Sequence, residues 1–377
     1  MLVKQTLQKY FPRVLETLRT AMKAPTFRYR YHRRPDSLAA LGGYTTGESG
    51  DDGHLIDRLI ASYSLRVECP SGQWSDIFLG RHGDISEAFS KKDRPRIEEI
   101  LRNPACSDIF YGFDSTAKSL RVGGLRIEER RAPGLTLDAL AALAEAIGVR
   151  NMELPENYYV WRINRIHADD VLGQIDDAVG FKVQVPNPFP SEYGMATSRG
   201  IVSYRVPQAL YQAWRIAQLL EGIEDPKVLE IGGGLGRTAF YARQFGIRNY
   251  TIIDIPVSSL AQGYFLGRTL GEESVSLFGE NSTEDQIKIM PPGFFLGGAE
   301  QYDLVVNVDS LTEIGRAAAD QYWSAIRTRT KRFLSINHEA NEFTVAQLIK
   351  TGTHTRASRM PCWMRRGFVE EVVEFAP

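Results

Sequence analysis

The sequence predicts an α/β protein, with an open and mostly parallel sheet in its C-terminal half and a mostly helical N-terminal region. Three observations predict it. A short apolar run, Lys227 to Ile231, leads directly into a glycine-rich turn, Gly232-Gly233-Gly234-Leu235-Gly236, with Glu230 just ahead of it. A second apolar run, Asn249 to Asp254, ends in an acid 22 residues beyond Gly232. Further buried runs then alternate with helix-length segments, the pattern of a parallel sheet covered on both faces. A strand, a glycine turn and a helix form the first unit of a nucleotide-binding sheet, and an acid about 20 residues on meets ribose hydroxyls in such folds.

The elements follow in order. Lys227 to Ile231 is the first strand, and the helix after the turn starts near Arg237. Asn249 to Asp254 is the second strand, Glu273 to Phe278 the third, Tyr302 to Val308 the fourth and Arg332 to Ile336 the fifth. Helices are expected over Ser258 to Thr269, Ile314 to Thr328 and Glu342 to Thr351, and the tail from about Thr353 supplies two strands, the second Phe368 to Phe375. Upstream, residues 1 to about 150 read as a mixed, mostly helical domain suited to oligomerisation or docking. It contains an Ala/Leu-rich helix from Leu137 to Ile147 and two aromatic, acidic stretches at Ser75–Phe78 and Ser107–Asp114. Residues 151–205, with Pro186, Pro188, Pro190, Gly194 and Gly200, read as a loop-rich linker or substrate wall. A helix from Tyr204 to Leu220 leads into the sheet domain, 206–377.

A chain of 377 residues has room for two or three domains, and its 43% hydrophobic and 24% charged content is that of a globular protein. No apolar stretch reaches membrane-spanning length and no signal-peptide core opens the chain. Three scattered cysteines suggest neither a disulfide framework nor a zinc cluster, and a reducing cytoplasm is the expected location. Net charge is −1, yet residues 1–34 carry nine Lys or Arg against the single acid Glu16. That segment has apolar residues at helical spacing followed by Phe27-Arg-Tyr-Arg-Tyr-His-Arg-Arg34. Both a solvated basic helix face and contact with an anionic surface or partner are consistent with it. A whole-chain pI of about 6.6 argues against nucleic acid.

The turn's spacing separates two classes of nucleotide. A dinucleotide fingerprint started at Gly232 would place Arg237 where the third glycine permits close strand–helix packing. The observed spacing, Glu230-x-Gly232-x-Gly234-x-Gly236, instead resembles motif I of the class I S-adenosylmethionine (SAM) methyltransferases, whose Rossmann-like sheet also ends in an antiparallel hairpin. SAM carries an amino-acid end and a sulfonium and has no pyrophosphate. Mg²⁺ is the metal to consider: Asp309, Glu313, Asn337 and Glu339 are hard oxygen donors near adjacent strand ends. Proton transfer competes for the same cleft. Methylating a hydroxyl requires a base near the methyl group, and the candidates are His338 first, then Asp309 and Glu339, with His167 further off. The fourth strand ends Asn307-Val308-Asp309-Ser310, without the Asn/Asp-Pro-Pro-aromatic box with which many amino methyltransferases hold a nitrogen.

From about Ala196 to the end the chain resembles a family of bacterial sugar O-methyltransferases. Four pieces carry the likeness: Val228 to Arg237, Tyr250-Thr-Ile-Ile-Asp-Ile-Pro256, Val306-Asn-Val-Asp-Ser310 and Met360-Pro-Cys-Trp-Met-Arg-Arg-Gly-Phe-Val-Glu-Glu371. The resemblance implies methyl transfer from SAM to a hydroxyl of a sugar or glycosylated small molecule. It places Glu230, Gly232, Gly233, Gly234 and Gly236 around SAM, Asp254 and Ile255 at the ribose, Glu280 or Asn281 near the adenine, and Asn307 on the cofactor side. Arg365 and Arg366 would serve as anion ligands, or as a solvated turn. A non-sugar acceptor, a non-catalytic SAM-binding subunit and an oxidoreductase are the alternatives.

Overall fold

In the computed structural model the described residues are 42–65, 72–114, 126–152, 167–365 and 367–376. The basic segment at 1–34 and Arg366 lie outside them. The described residues begin with β1 (Gly42–Thr46) and go on to helices α1 (Gly53–Ser64), α2 (Gln73–Arg81), α3 (Gly83–Lys91) and α4 (Arg94–Arg102). Then come α5 (Arg126–Ala146), α6 (Ala168–Val179), β2 (Pro190–Thr197), β3 (Gly200–Val202) and α7 (Arg205–Leu219). The alternating part follows with β4 (Lys227–Ile231), α8 (Arg237–Gln244), β5 (Asn249–Ile253), α9 (Pro256–Leu270), β6 (Val275–Leu277) and β7 (Ile287–Met290). It closes with α10 (Pro292–Gly297), β8 (Tyr302–Val308), α11 (Arg316–Arg329), β9 (Thr330–His338), α12 (Val345–Ile349), β10 (Arg356–Pro361) and β11 (Phe368–Glu374).

Two compact units result, one of Met1–Gly47 with Ser115–Pro207 and one of Glu48–Asp114 with Gln208–Pro377. In the first, β1, β2 and β3 form an antiparallel sheet against which α5 packs. The Thr45 hydroxyl donates to the Phe189 carbonyl at 2.6 Å and accepts the Glu192 N–H at 2.8 Å, fixing β1 to the start of β2. Arg199 clamps both oxygens of Asp176, at 2.8 and 2.6 Å, tying the β2–β3 turn to α6. The loop-rich reading of 151–205 is therefore corrected for its described part, where α6, β2 and β3 stand. The misleading Pro190 and Gly200 sit at strand starts, a position both residues tolerate.

The second unit is an eight-stranded sheet in the order β10-β11-β9-β8-β4-β5-β7-β6. Every pairing from β9 to β6 is parallel, and β10 and β11 add the antiparallel hairpin. That is the class I SAM-methyltransferase α/β fold. Period-two alternation divides β4: Leu229 and Ile231 join a core with Trp323 and Phe333, while Glu230 faces the other side with Tyr250. On that side α9 approaches α1 closely. A Cβ on Gly263 would lie 2.6 Å from Leu59, and one on Gly267 2.8 Å from Leu55, so the two glycines admit the α1 leucines.

One strand differs from expectation. The expected third strand, 273–278, is the three-residue edge strand β6, and β7 stands between it and β5. Ile287-Lys-Ile-Met290 follows β6 after a polar stretch that holds no helix, so the alternation breaks there. The strand order reverses between β4 and β8, the point at which open α/β sheets form a crevice beyond the carboxyl ends of their strands.

Candidate functional site

The crevice begins at the turn after β4. Gly232 adopts φ 73° and Gly234 φ 56°, in the left-handed region that favours glycine. A Cβ on Gly232 would lie 2.3 Å from the Ser310 hydroxyl, so the turn passes directly against the loop that follows β8. Hydrogen bonds from Gly232 N–H to the Ile253 carbonyl at 2.9 Å and from Gly236 N–H to the Gly233 carbonyl at 2.8 Å hold its shape. Ile255 and Pro256 begin α9 beside it, and the Ile255 N–H donates to Asp254 Oδ1 at 2.8 Å. The other oxygen of Asp254 accepts Gln262 Nε2 at 2.6 Å, and the same nitrogen donates to the Gly234 carbonyl at 3.0 Å. Gln262, fully buried on α9, thus ties the acid after β5 to the glycine turn. No sequence motif marks it, although it lies two helical turns beyond Asp254.

Glu230 sits below this turn. It is 2% exposed, accepts the Tyr250 hydroxyl at 3.0 Å and lies beneath Gly233. Alternation along β4 turns this acid, expected around SAM, under the loop. Burial pushes its carboxyl up from 4.5 to about 7, opposed by hydrogen bonds from Tyr250 and Thr238. A folded-state value above the unfolded one means that stability is greatest below about pH 4.5 and is lost as pH rises toward 7. Glu230→Gln keeps an acceptor for Tyr250 without the charge. It is expected to raise the thermal midpoint at pH 8 by several degrees and to leave it nearly unchanged at pH 4.5, as read by calorimetric melting at both pH values.

Glu280 and Asn281 follow β6, one strand further from β4 than the adenine position expected for them. Glu280 is gripped by Arg58 of α1 through two bonds of 2.7 Å and accepts the Leu277 N–H at 2.8 Å, while Asn281 is exposed. Asn307, expected on the cofactor side, is fully buried. Its amide donates to the Ile231 carbonyl at 2.9 Å and to Ser310 Oγ, and its carbonyl accepts the Leu311 N–H and Asn337 Nδ2. Asn337 also donates to Ser335 at 2.8 Å. The two buried asparagines brace the ends of β4, β8 and β9 from inside.

Beyond that brace, Asp309 takes φ 60°, left-handed for a non-glycine residue, and its Oδ2 accepts Arg365 Nη2 at 2.8 Å. The Arg365 guanidinium lies 3.5 Å over the Phe368 ring. His338, at the end of β9, brings Nε2 to 3.6 Å from Asp309 Oδ1, and its Nδ1 accepts the Ala340 N–H at 3.2 Å. A neutral imidazole accepting at Nδ1 carries its proton on Nε2. Glu313 completes the group: one oxygen accepts Trp74 Nε1 at 2.9 Å, and the Gln73 N–H donates to its backbone carbonyl at 3.1 Å. Glu339 stands apart, paired with Arg359 of β10 at 2.7 Å, and His167 is exposed at the start of α6 in the other unit.

Residues from the 48–114 segment thus reach the strand ends twice. Trp74 holds Glu313 and packs on Gly112, where a Cβ would lie 2.7 Å from its ring. Next to Gly112, the Phe113 side chain reaches 3.5 Å from the Cβ position of Gly234, and buried Asp114 pairs with Arg237 at 3.1 Å. The second place falls in the Ser107–Asp114 stretch visible in the sequence and Trp74 stands just ahead of the Ser75–Phe78 one, although their partners, over 100 residues away, are not visible there.

Donor atoms of Asp309, Glu313 and His338 lie within 4.8 Å of one another. The group does not fit Mg²⁺. The Arg365 cation already pairs with one oxygen of Asp309, the His338 proton stands on the nitrogen that would ligate, and Mg²⁺ calls for oxygen donors. Of the four expected donors, Glu339 is paired with Arg359, and Asn337 is buried with its amide nitrogen in the brace.

No family model and no curated protein matches the chain. Solved structures similar to it include the mitomycin 7-O-methyltransferase MmcR, 17% identical over 45% of this chain and 55% of that one, with a TM-score of 0.32. Magnesium protoporphyrin IX methyltransferase from Synechocystis PCC 6803 with bound SAM is 13% identical over 45% and 83%, with a TM-score of 0.33. The glycopeptide N-methyltransferase MtfA complexed with SAM is 14% identical over 45% and 94%, with a TM-score of 0.33. All three are described as methyltransferases. Among the described residues no helix is long and apolar enough to cross a membrane.

Proposed function

We propose that this chain is a SAM-dependent O-methyltransferase acting on a hydroxyl of a sugar or glycosylated small molecule. The observation that supports the reading is the contact of the left-handed glycine turn with Ser310, one residue from Asp309 of the Asp309–Glu313–His338 group. The acceptor class rests on the sequence resemblance, whose Met360–Glu371 piece supplies Arg365 and Phe368 to that group. When bound, SAM supplies a methyl on a sulfonium that a hydroxyl oxygen can displace in line. The protein's part is to hold the adenosine at Gly232–Gly236 and Asp254, position the acceptor and receive its proton.

Asp254 is the most direct handle on cofactor binding. It is pre-set by Gln262 and the Ile255 N–H, so a ribose meets it in one orientation. Asp254→Ala removes charge-assisted hydrogen bonds, and SAM affinity is expected to fall about 10- to 100-fold in calorimetric titration. Incubation with SAM and a panel of sugars, glycosides and aglycones, reading S-adenosylhomocysteine, tests the reaction. Turnover confined to non-glycosylated acceptors would refute the sugar assignment.

A further inference from the structure

Within that reading, the proton acceptor is a separate question, and the geometry singles out one group. His338 offers no free lone pair: Nδ1 accepts from Ala340 and Nε2 carries the proton that faces Asp309. Asp309 has Oδ2 on the Arg365 guanidinium at 2.8 Å, its Oδ1 is closed off from solvent 3.6 Å from His338 Nε2, and its backbone is held in a left-handed conformation. Glu313 is different. It is half-buried, so it is shielded from water yet reachable, and the Trp74 indole fixes one of its oxygens at 2.9 Å. Its donor atoms lie within 4.8 Å of Asp309 and His338, on the loop whose Ser310 touches the glycine turn.

We propose that Glu313 takes the proton from the acceptor hydroxyl, with Trp74 as its positioning residue and Asp309, Arg365 and His338 as the charged and titratable groups around it. As the hydroxyl oxygen forms its bond to the methyl carbon, the carbon–sulfur bond breaks and its electron pair stays on sulfur, giving the neutral thioether. The hydroxyl proton passes to the Glu313 carboxylate and from there to water. The environment suits this task. Burial, then the neighbouring Asp309 carboxylate, push Glu313 up from 4.5 to about 7, while Trp74, Gln73 and Arg365 oppose the shift. A base poised near the working pH is the most effective one.

The test is the pH dependence of kcat for wild type and four variants, with S-adenosylhomocysteine affinity measured alongside as the check on folding. Glu313→Gln, which keeps an acceptor for Trp74, should lower kcat at least about 100-fold with affinity changed by less than about threefold. Glu313→Asp should recover part of the loss. Wild-type kcat should rise with pH through a midpoint near 7. Asp309→Asn removes the like charge, so the midpoint moves to lower pH. Trp74→Phe removes a hydrogen bond to the charged form, so it moves to higher pH. These opposite shifts would not arise from a purely structural role. An active wild type whose Glu313→Gln form keeps kcat and the same pH midpoint would overturn this assignment alone. A wild type that binds SAM and transfers methyl to no hydroxyl would overturn the functional reading, and this assignment with it.

Discussion

Gly232→Val is expected to abolish SAM binding, with a loss of more than about 100-fold in affinity and a marked fall in stability. Two independent causes act together. A β-branched residue at φ 73° is strained by about 1–3 kcal/mol. Its Cβ would also stand 2.3 Å from Ser310 Oγ, which cannot retreat freely, because that hydroxyl donates to the Ile231 carbonyl at 2.9 Å and accepts from Asn307. The clash therefore spreads into the brace beneath the crevice. Titration with S-adenosylhomocysteine and a melting curve on the same sample check both parts. A variant that binds like wild type would show that the turn is not the cofactor cradle.

Asn307→Leu carries the second large effect, and here the reading is stability. The side chain is fully buried and joins β4, β8 and β9 through four hydrogen bonds. Leucine has nearly the same size and no polar atoms. It leaves the Leu311 N–H and the Asn337 amide without their acceptor, in a place water does not reach. Each buried group left unpaired costs about 1–3 kcal/mol, so urea unfolding should show a loss of about 3–5 kcal/mol. Because the brace also sets the Ser310 loop, cofactor affinity should fall with it. A loss below about 1 kcal/mol would mean that the network does not hold the strand ends together.

Much of the fold was legible because its strands are buried on both faces. Lys227–Ile231 and Tyr302–Val308 coincide with β4 and β8 to the residue, since continuous apolar runs bounded by a glycine turn or a polar stretch leave little choice of register. Short strands were harder. Ile287–Met290 is four residues long with a lysine inside it, and only its neighbours in the sheet make it a strand. Glu280, expected near the adenine, follows the edge strand β6, where it pairs with Arg58. At the site, the spacing that identified the glycine turn and Asp254 is local to the chain. Trp74 with Glu313, and Asp114 with Arg237, join segments over 100 residues apart, which no local pattern reveals. Strand alternation sets Asn337 and His338 on opposite faces of β9, but it does not say that the Asn337 amide nitrogen would be held by Asn307.

Isothermal titration of the full chain with S-adenosylhomocysteine and, separately, with a nicotinamide dinucleotide tests the proposed cofactor pocket most directly. Saturable one-site heat with the first, weakened about 10- to 100-fold by Asp254→Ala, and none with the second is the predicted result. Silence with S-adenosylhomocysteine and firm binding of the dinucleotide would contradict it.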